Sequence, residues 1–446
     1  MPSDLISMAR SGTRAARTAL EITSNNIANA SSEGYVRRSV SLAEVAVGTV
    51  SSTPTSINLA GVAVAGIVRN ADQFRQGEVR RTGADAARAA AEVQGLENIE
   101  SAVEQTGVYT SIVDFEAGLQ ALLSDPTDGP LRAGVLEQGR TLSETLNVAA
   151  SSLDAVGDGL RFEAGEGVEN VNRIATELAR VNLRLSRASD ASSDQTAQLD
   201  QRDMLLQELS QYVDTRTSFA PDTGVVTVTL GGPSGTDLVD GGATRSLAMT
   251  TAADGTVSFT LDGTPTAISS GQLAGKSLSL TQAASTRAEL DAIAAEIVTT
   301  VNAAQAGGVD LDGNPGQPLF SGTGAADMRM IATNGAAVAT APAGAGANSR
   351  DVSNLEAMRS ALSAADPAGD MDTLLFGISS AVAGRRVTRD ALDSIASTAR
   401  VALQAQAGVD LDQEAVNLVR FQQAFEANAR VMQVATDIFD SILAIR

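Results

Sequence analysis

The 446-residue sequence has no cysteine, no histidine and no tryptophan, and its only lysine is Lys276. Without cysteine there are no disulfides and no thiolate metal sites, although this alone does not fix the compartment. The joint absence of histidine and cysteine removes the commonest general base, the thiol nucleophile and the usual zinc ligands. Carboxylate-only hydrolases need acids that converge in a cleft, whereas Asp and Glu here are spread over helix faces. Neither a G-x-x-x-x-G-K-[ST] loop nor a G-x-S-x-G elbow occurs, so the chain reads as a non-enzyme that needs no cofactor and no metal. A net charge of −21 argues against a nucleic-acid surface, which needs clustered Lys and Arg. No apolar run approaches the roughly 18 residues of a membrane span, so no membrane insertion is expected. The N-terminal segment MPSDLISMARSGTRAARTAL has no continuous apolar core of a Sec-type signal, and export, if it occurs, needs another route. Aromatic residues make up only 3% of the chain. With Ala and Gly abundant, helices are expected to pack closely through small side chains.

What is present is dominated by the two ends. Residues 408–446 read as one helix of about ten turns. Leu418, Phe421, Phe425, Asn428, Met432, Ala435, Phe439 and Ile442 recur at alternating steps of three and four, a heptad seam that buries a stripe against another helix. Asp410 is the expected N-cap, Gln413 completes a capping box, and Asp412 and Glu414 favour the positive dipole end. Residues 5–29 carry a matching seam of mainly small residues: Leu5, Met8, Gly12, Ala15, Ala19, Ile22 and Asn29, with Asn26 polar within it. Such a helix buries little area alone and is marginal in water, so the two terminal helices are expected to pair. Arg10, Arg14 and Arg17 share a face that either complements the acidic terminal helix or is simply solvated. Asn25, Asn26 and Asn29 crowd the last turn of the first helix, three costly residues within five positions. A C-cap explains one of them.

SNNIANASSEGYVRR, beginning at Ser24, resembles the N-terminal signature of the bacterial flagellar axial proteins: the rod, the hook and the hook–filament junction. LDQEAVNLVRFQQAFEANARV, beginning at Leu411, resembles their C-terminal signature. In that family the two terminal helices pair to form the inner tube of the axial structure. The segment from Gly61 to Phe74, with Arg69, Asp72 and Phe74, resembles the junction members more than the hook or rod members.

From Ala84 to about Phe219 the pattern is helical. Helices are expected over 86–104, 108–124, 131–160, 168–186 and 199–213, which amounts to a bundle. Hook and distal rod members turn to β-structure here, so this block also resembles the junction members. GVVTVTLGG, GTVSFTLDGT and GKSLSLTQ alternate apolar and polar residues and predict a small antiparallel β-domain. Helices resume at 284–304, 354–365 and 371–407. The expected fold is mainly α with a β insert: paired terminal coiled-coil helices, a split helical bundle and the β-domain. The expected domains are 1–60 with 405–446 as the axial tube part, 61–215 with 283–404 as the bundle, and 216–282 as the insert. DLDGN, starting at Asp310, starts like a calcium loop but has Pro315 at the turn position and Ser321 in place of the bidentate Glu, so an Asx-turn is the better reading.

The resemblance implies a structural subunit of the flagellum at the hook–filament junction, self-associating into a ring. It also implies contacts with the hook protein, a second junction protein and the filament, and export with a flagellar chaperone through the type III apparatus to the extracellular flagellum. It places the subunit interface on Leu5, Met8, Ala15, Ala19, Ile22, Asn25, Asn26 and Asn29 at one end. At the other end it places it on Leu418, Phe421, Phe425, Met432, Ala435, Phe439 and Ile442. The alternatives are a hook or rod subunit, or a secreted coiled-coil adhesin or effector whose termini need not pair.

Overall fold

Helix period and capping residues set the elements of the computed structural model, which describes residues 2–32, 34–47, 58–188, 192–232 and 235–444. The long helices are α1 (Pro2–Ala28), α2 (Gln73–Glu104), α3 (Val108–Leu122), α4 (Gly129–Leu185) and α5 (Ser193–Tyr212), followed by α6 (Gln272–Ala306), α7 (Ser353–Ala365), α8 (Pro367–Ala407) and α9 (Leu411–Ala444). The fold is mainly α with antiparallel strands between α5 and α6, as the sequence patterns predict. Asp410 caps α9 as expected, its Oδ1 accepting from the backbone N–H groups of Asp412 and Gln413 at 3.0 and 3.2 Å.

Three elements differ from the sequence expectation. Helix α2 starts at Gln73 rather than near Ala86, because Asp72 Oδ1 accepts the N–H groups of Phe74 and Arg75 and nucleates the first turn. The two helices expected over 131–160 and 168–186 are one, 57 residues long. Its glycines at 157, 159, 165 and 167 each cost about 1 kcal/mol relative to alanine, but Leu153, Leu160, Ala164, Val168 and Val171 continue the buried stripe without a break. GKSLSLTQ is not a strand but lies inside α6. Strand alternation would bury Leu278 and Leu280 on one face, whereas Leu280 is buried and Leu278 exposed, as helical spacing demands.

The strands β3 (Arg216–Phe219), β4 (Val226–Leu230), β5 (Thr236–Asp240) and β6 (Ala243–Thr244) form one antiparallel meander. A second sheet of three strands contains β7 (Leu247–Thr251), β8 (Val257–Leu261) and β9 (Thr264–Pro265). Near the start of the chain β1 (Arg38–Val47) and β2 (Asn58–Arg69) form an antiparallel hairpin with two register shifts.

Two compact units result. The first comprises Met1–Ala84, Asn170–Leu247 and Asp393–Arg446. The second comprises Asp85–Glu169 and Ala248–Leu392. The second unit has an aliphatic core in which Ile99, Leu119, Leu142, Leu290 and Val301 are fully buried, with Phe115 and Phe320 edge to face at 5.5 Å. In that unit Arg132 is buried, and among the described residues no carboxylate forms an ion pair with it. Its guanidinium instead donates to the carbonyls of Pro126, Gly335, Ala336 and Val338 and to Thr340 Oγ1, which ties down the Ala/Gly-rich stretch.

Candidate assembly surface on the terminal helices

Helices α1 and α9 pack against each other over an extensive contact, comparable among the described residues only with that between β1 and β2. On α1 the packed positions are small: Ala9, Ala15, Ala16 and Ala19 are buried, together with Ile22. On α9 Glu414, Asn417 and Ala435 are buried, while Leu418, Phe421, Asn428 and Met432 are half-buried. At the crossing, Gly12 meets the side chain of Asn428 in a space that a Cβ would fill. Asn428 Nδ2 donates to the carbonyl of Ala424 at 2.7 Å. Of the other predicted interface residues, Met8 is half-buried, Leu5, Phe425 and Phe439 stay exposed, and the side chain of Ile442 lies outside the described residues. Arg10 and Arg14 are exposed and Arg17 pairs with Glu21 within α1. Among the described residues no ion pair joins the two helices, so the arginine face is solvated.

A second stripe on α9 went unread in the sequence. Val416, Val419, Val431, Val434 and Ile438 are all exposed. With Gln423 and Ala427 between them they lie on one helical face, displaced by roughly 130° from the seam that packs on α1. The signal was the clustering of the valines on one helical face, which Gln423 interrupts. Helix α9 therefore has one apolar stripe partly covered by α1 and another that no described residue covers.

The three asparagines separate. Asn25 is exposed and its amide donates to the carbonyl of Glu21; Asn29 is half-buried and donates to that of Asn25. Asn26 is only 1% exposed and closes the elbow between α1 and the hairpin. Its Nδ2 donates to the carbonyl of Arg38 at 2.8 Å, and its Oδ1 accepts from Arg38 N–H at 3.1 Å and Tyr35 O–H at 2.9 Å. The hairpin also rests on α1 where Gly61, at φ +109°, lies against Ser11, whose Oγ accepts from Val62 N–H.

Arg38 and Arg69 stand opposite each other in the hairpin register. Like charges in that position repel, and both guanidiniums contact Asp200 of α5, each at 2.6 Å. Arg69 also pairs with Asp203 at 2.8 Å, and Arg202 with Asp203 at 2.5 Å. Burial alone would raise the Asp203 carboxyl, but Arg202 and Arg69 outweigh it and hold it below the ordinary carboxylate range. Burial lowers Arg202 and raises the Tyr35 hydroxyl. On the other side Arg37 pairs with the buried Glu414 of α9 at 2.6 Å and donates its N–H to the carbonyl of Ala407. Sequence reasoning missed this network, since the pairs that join its different elements lie 134 to 377 residues apart. Elsewhere, Asp310 forms the expected Asx-turn, with Oδ1 accepting from the N–H groups of Asp312 and Asn314.

Residues 93–320, about half of the chain, match the family described as flagellar hook-associated protein FlgK helical domain. Residues 6–35 match flagella basal body rod protein, and 404–445 match flagellar basal body rod FlgEFG protein C-terminal. The chain is 26% identical to flagellar hook-associated protein 1 of Escherichia coli, over 100% of both proteins. It is 23% identical to flagellar hook-associated protein 1 of Bacillus subtilis, over 98% of this chain and 96% of that one. The fold is similar to the solved flagellar hook junction protein FlgK from Burkholderia pseudomallei, with a TM-score of 0.50 at 23% identity, over 55% of this chain and 46% of that one.

Proposed function

The chain belongs to the family of flagellar hook-associated protein FlgK, and from that membership we propose a packing mechanism for it at the hook–filament junction. It is a structural protein of the bacterial flagellum. Its work is done by surfaces: subunits associate into a short ring, with hook protein on one side and the second junction protein and filament on the other. Residues 1–60 and 405–446 act as the tube part. The observation that carries this reading is the exposed stripe Val416, Val419, Val431, Val434 and Ile438. A helix that is apolar on two faces, with only one covered, has its remaining partner in another subunit. Phe425 and Phe439, half free at the edge of the α1 contact, extend the same surface. The chain reaches this site outside the cell through the flagellar type III apparatus, accompanied by an export chaperone. The rod-type matches at 6–35 and 404–445 fit tube segments of a kind common to axial subunits.

Electron microscopy of cells lacking the gene, with flagellin assayed in the medium, tests the reading. Complete hooks without filaments, and flagellin lost outside, are expected. Missing hooks would move the role to the hook or rod, and normal filaments would remove it from the junction.

A further inference from the structure

Four guanidiniums, those of Arg38, Arg69, Arg202 and Arg80, stand around the two carboxylates of Asp200 and Asp203, and the first three are paired with them. Asp203 has no acceptor left for the fourth. Its Oδ1 accepts from Arg202 Nε and Nη2 at 2.8 and 2.5 Å, and its Oδ2 from Arg69 Nη2 at 2.8 Å and Gln76 Nε2 at 3.0 Å. That fills the roughly four acceptor sites of a carboxylate. Arg80 of α2 is only 7% exposed, and among the described residues no carboxylate forms an ion pair with it. Its one hydrogen bond there runs from Nη2 to Thr217 Oγ1 at 3.3 Å. Burial pushes the guanidinium down; Asp203, acting through space, pulls it back and Arg202 adds to the fall. A buried charge without a bonded partner is costly, so packing alone does not account for an arginine at this position.

The first unit also holds a cavity of about 560 Å³, lined by the segment after α1, by α2 and α5 and by the α8–α9 junction, and Arg80 is part of its wall. The free nitrogens of Arg80 differ from Arg38 Nε and Arg69 Nε, which lack both a partner and accessible surface. They open on the cavity instead. Val79 and Leu403 supply apolar wall, and the half-buried Gln207 adds an amide. Arg400 also lines the cavity, exposed and with no ion pair among the described residues. The carboxylates that reach the same space are already engaged, Asp203 as above and Asp410 as the cap of α9. A concave, partly apolar space with a few convergent polar groups is the composition of a small-molecule site. Here the charge on offer is positive.

We propose that this cavity binds a small organic carboxylate, with Arg80 donating to the carboxylate and Arg400 adding charge nearer the solvent. The planar fork of an arginine matches a carboxylate with two parallel bonds. An apolar body packs on Val79 and Leu403, which a bare inorganic ion leaves uncovered. The site lies within one chain and needs no second copy, so it stands apart from the assembly reading. Its walls come from the segment after α1 and from the entrance to α9, so a bound carboxylate fastens both and stabilises the folded chain by linkage.

Thermal unfolding of the isolated full chain tests this, with benzoate and glutarate as probes and with sodium chloride and inorganic phosphate at equal ionic strength as controls. One or both carboxylates should raise the midpoint saturably, and the controls should not. Calorimetric titration with the more effective probe should give one site per chain. Arg80→Gln is expected to weaken that binding by roughly tenfold or more, as the loss of a charge-assisted pair does, without lowering the midpoint of the probe-free chain. Arg400→Gln changes an exposed side chain, so its folding is not at issue, and it should weaken binding by less. The proposal is overturned if neither carboxylate gives a saturable shift, or if phosphate gives as large a one. It is also overturned if Arg80→Gln binds like the parent, which would make the arginine a structural group. Should Arg80→Gln fail to fold, unaltered binding by Arg400→Gln overturns it.

Discussion

Gly12 of α1 and Asn428 of α9 occupy one space: a Cβ at position 12 would lie inside the van der Waals envelope of Asn428 Oδ1. The missing side chain at Gly12 sets how near the two helices come. The alanines at 9, 15, 16 and 19 keep that closeness along the contact. Small residues bury little area each, so the pairing depends on fit more than on bulk.

Gly12→Val should therefore separate the ends, costing roughly 1–3 kcal/mol as overpacking does. Hydrogen exchange is expected to accelerate in α1 and α9 while the core of the second unit stays protected. Adding Asn428→Ala should restore much of the loss. Equal protection in the single variant and the parent chain would show that Asn428 swings aside at no cost.

Asn26→Ala removes three hydrogen bonds and leaves Tyr35 O–H and both backbone groups of Arg38 without that partner. The expected loss is about 2–3 kcal/mol. Asn25→Ala, at an exposed site, should stay within about 0.5 kcal/mol. Urea unfolding of the two variants side by side checks the contrast.

The Asp203 carboxyl has a lower pKa folded than unfolded, with Arg202 and Arg69 outweighing its burial. Its contribution to stability is fully present above the unfolded value, about 3.9, and is lost as pH falls through the folded value. Below about pH 4, exchange should rise first in the hairpin and α5. Asp203→Asn should weaken the same elements at neutral pH and flatten their acid dependence, which exchange measured at several pH values would reveal.

Phe425→Asp places a charge on a side chain that is 36% exposed in the single chain. Most of the ring is covered, so the α1–α9 contact should loosen in the isolated protein while hydrogen exchange shows the core of the second unit protected as in the parent. Incorporation into hook–filament structures should fail. Normal incorporation in a swimming assay would separate Phe425 from the assembly surface.

The pairing of the ends was legible because helical period is a local property, and Ala15, Ala19, Ile22 and Ala435 fall where the spacing puts them. Helix limits were less legible. Alternating Ser and Leu in GKSLSLTQ satisfies a strand pattern, and only packing in α6, with Ser279 set against Gly95, decides otherwise. The glycines of α4 looked like a break because propensity is read residue by residue, whereas burial acts on the whole stripe. The distinction between Asn25 and Asn26 is invisible locally, since what buries Asn26 is a hairpin that begins at Arg38. Arg38 and Arg69 likewise acquire their meaning only from Asp200 and Asp203 on a distant helix.

The ion pair between Arg37 and Glu414 spans 377 positions of the chain. Closing so long a loop is slow compared with forming α3 to α7, whose contacts are nearer in sequence. A polypeptide delivered from one end, whichever end leads, cannot lock this elbow until both residues have arrived. The surface that the two ends build together is thus the last to acquire its shape, and until both ends are present it offers no finished face to a second copy.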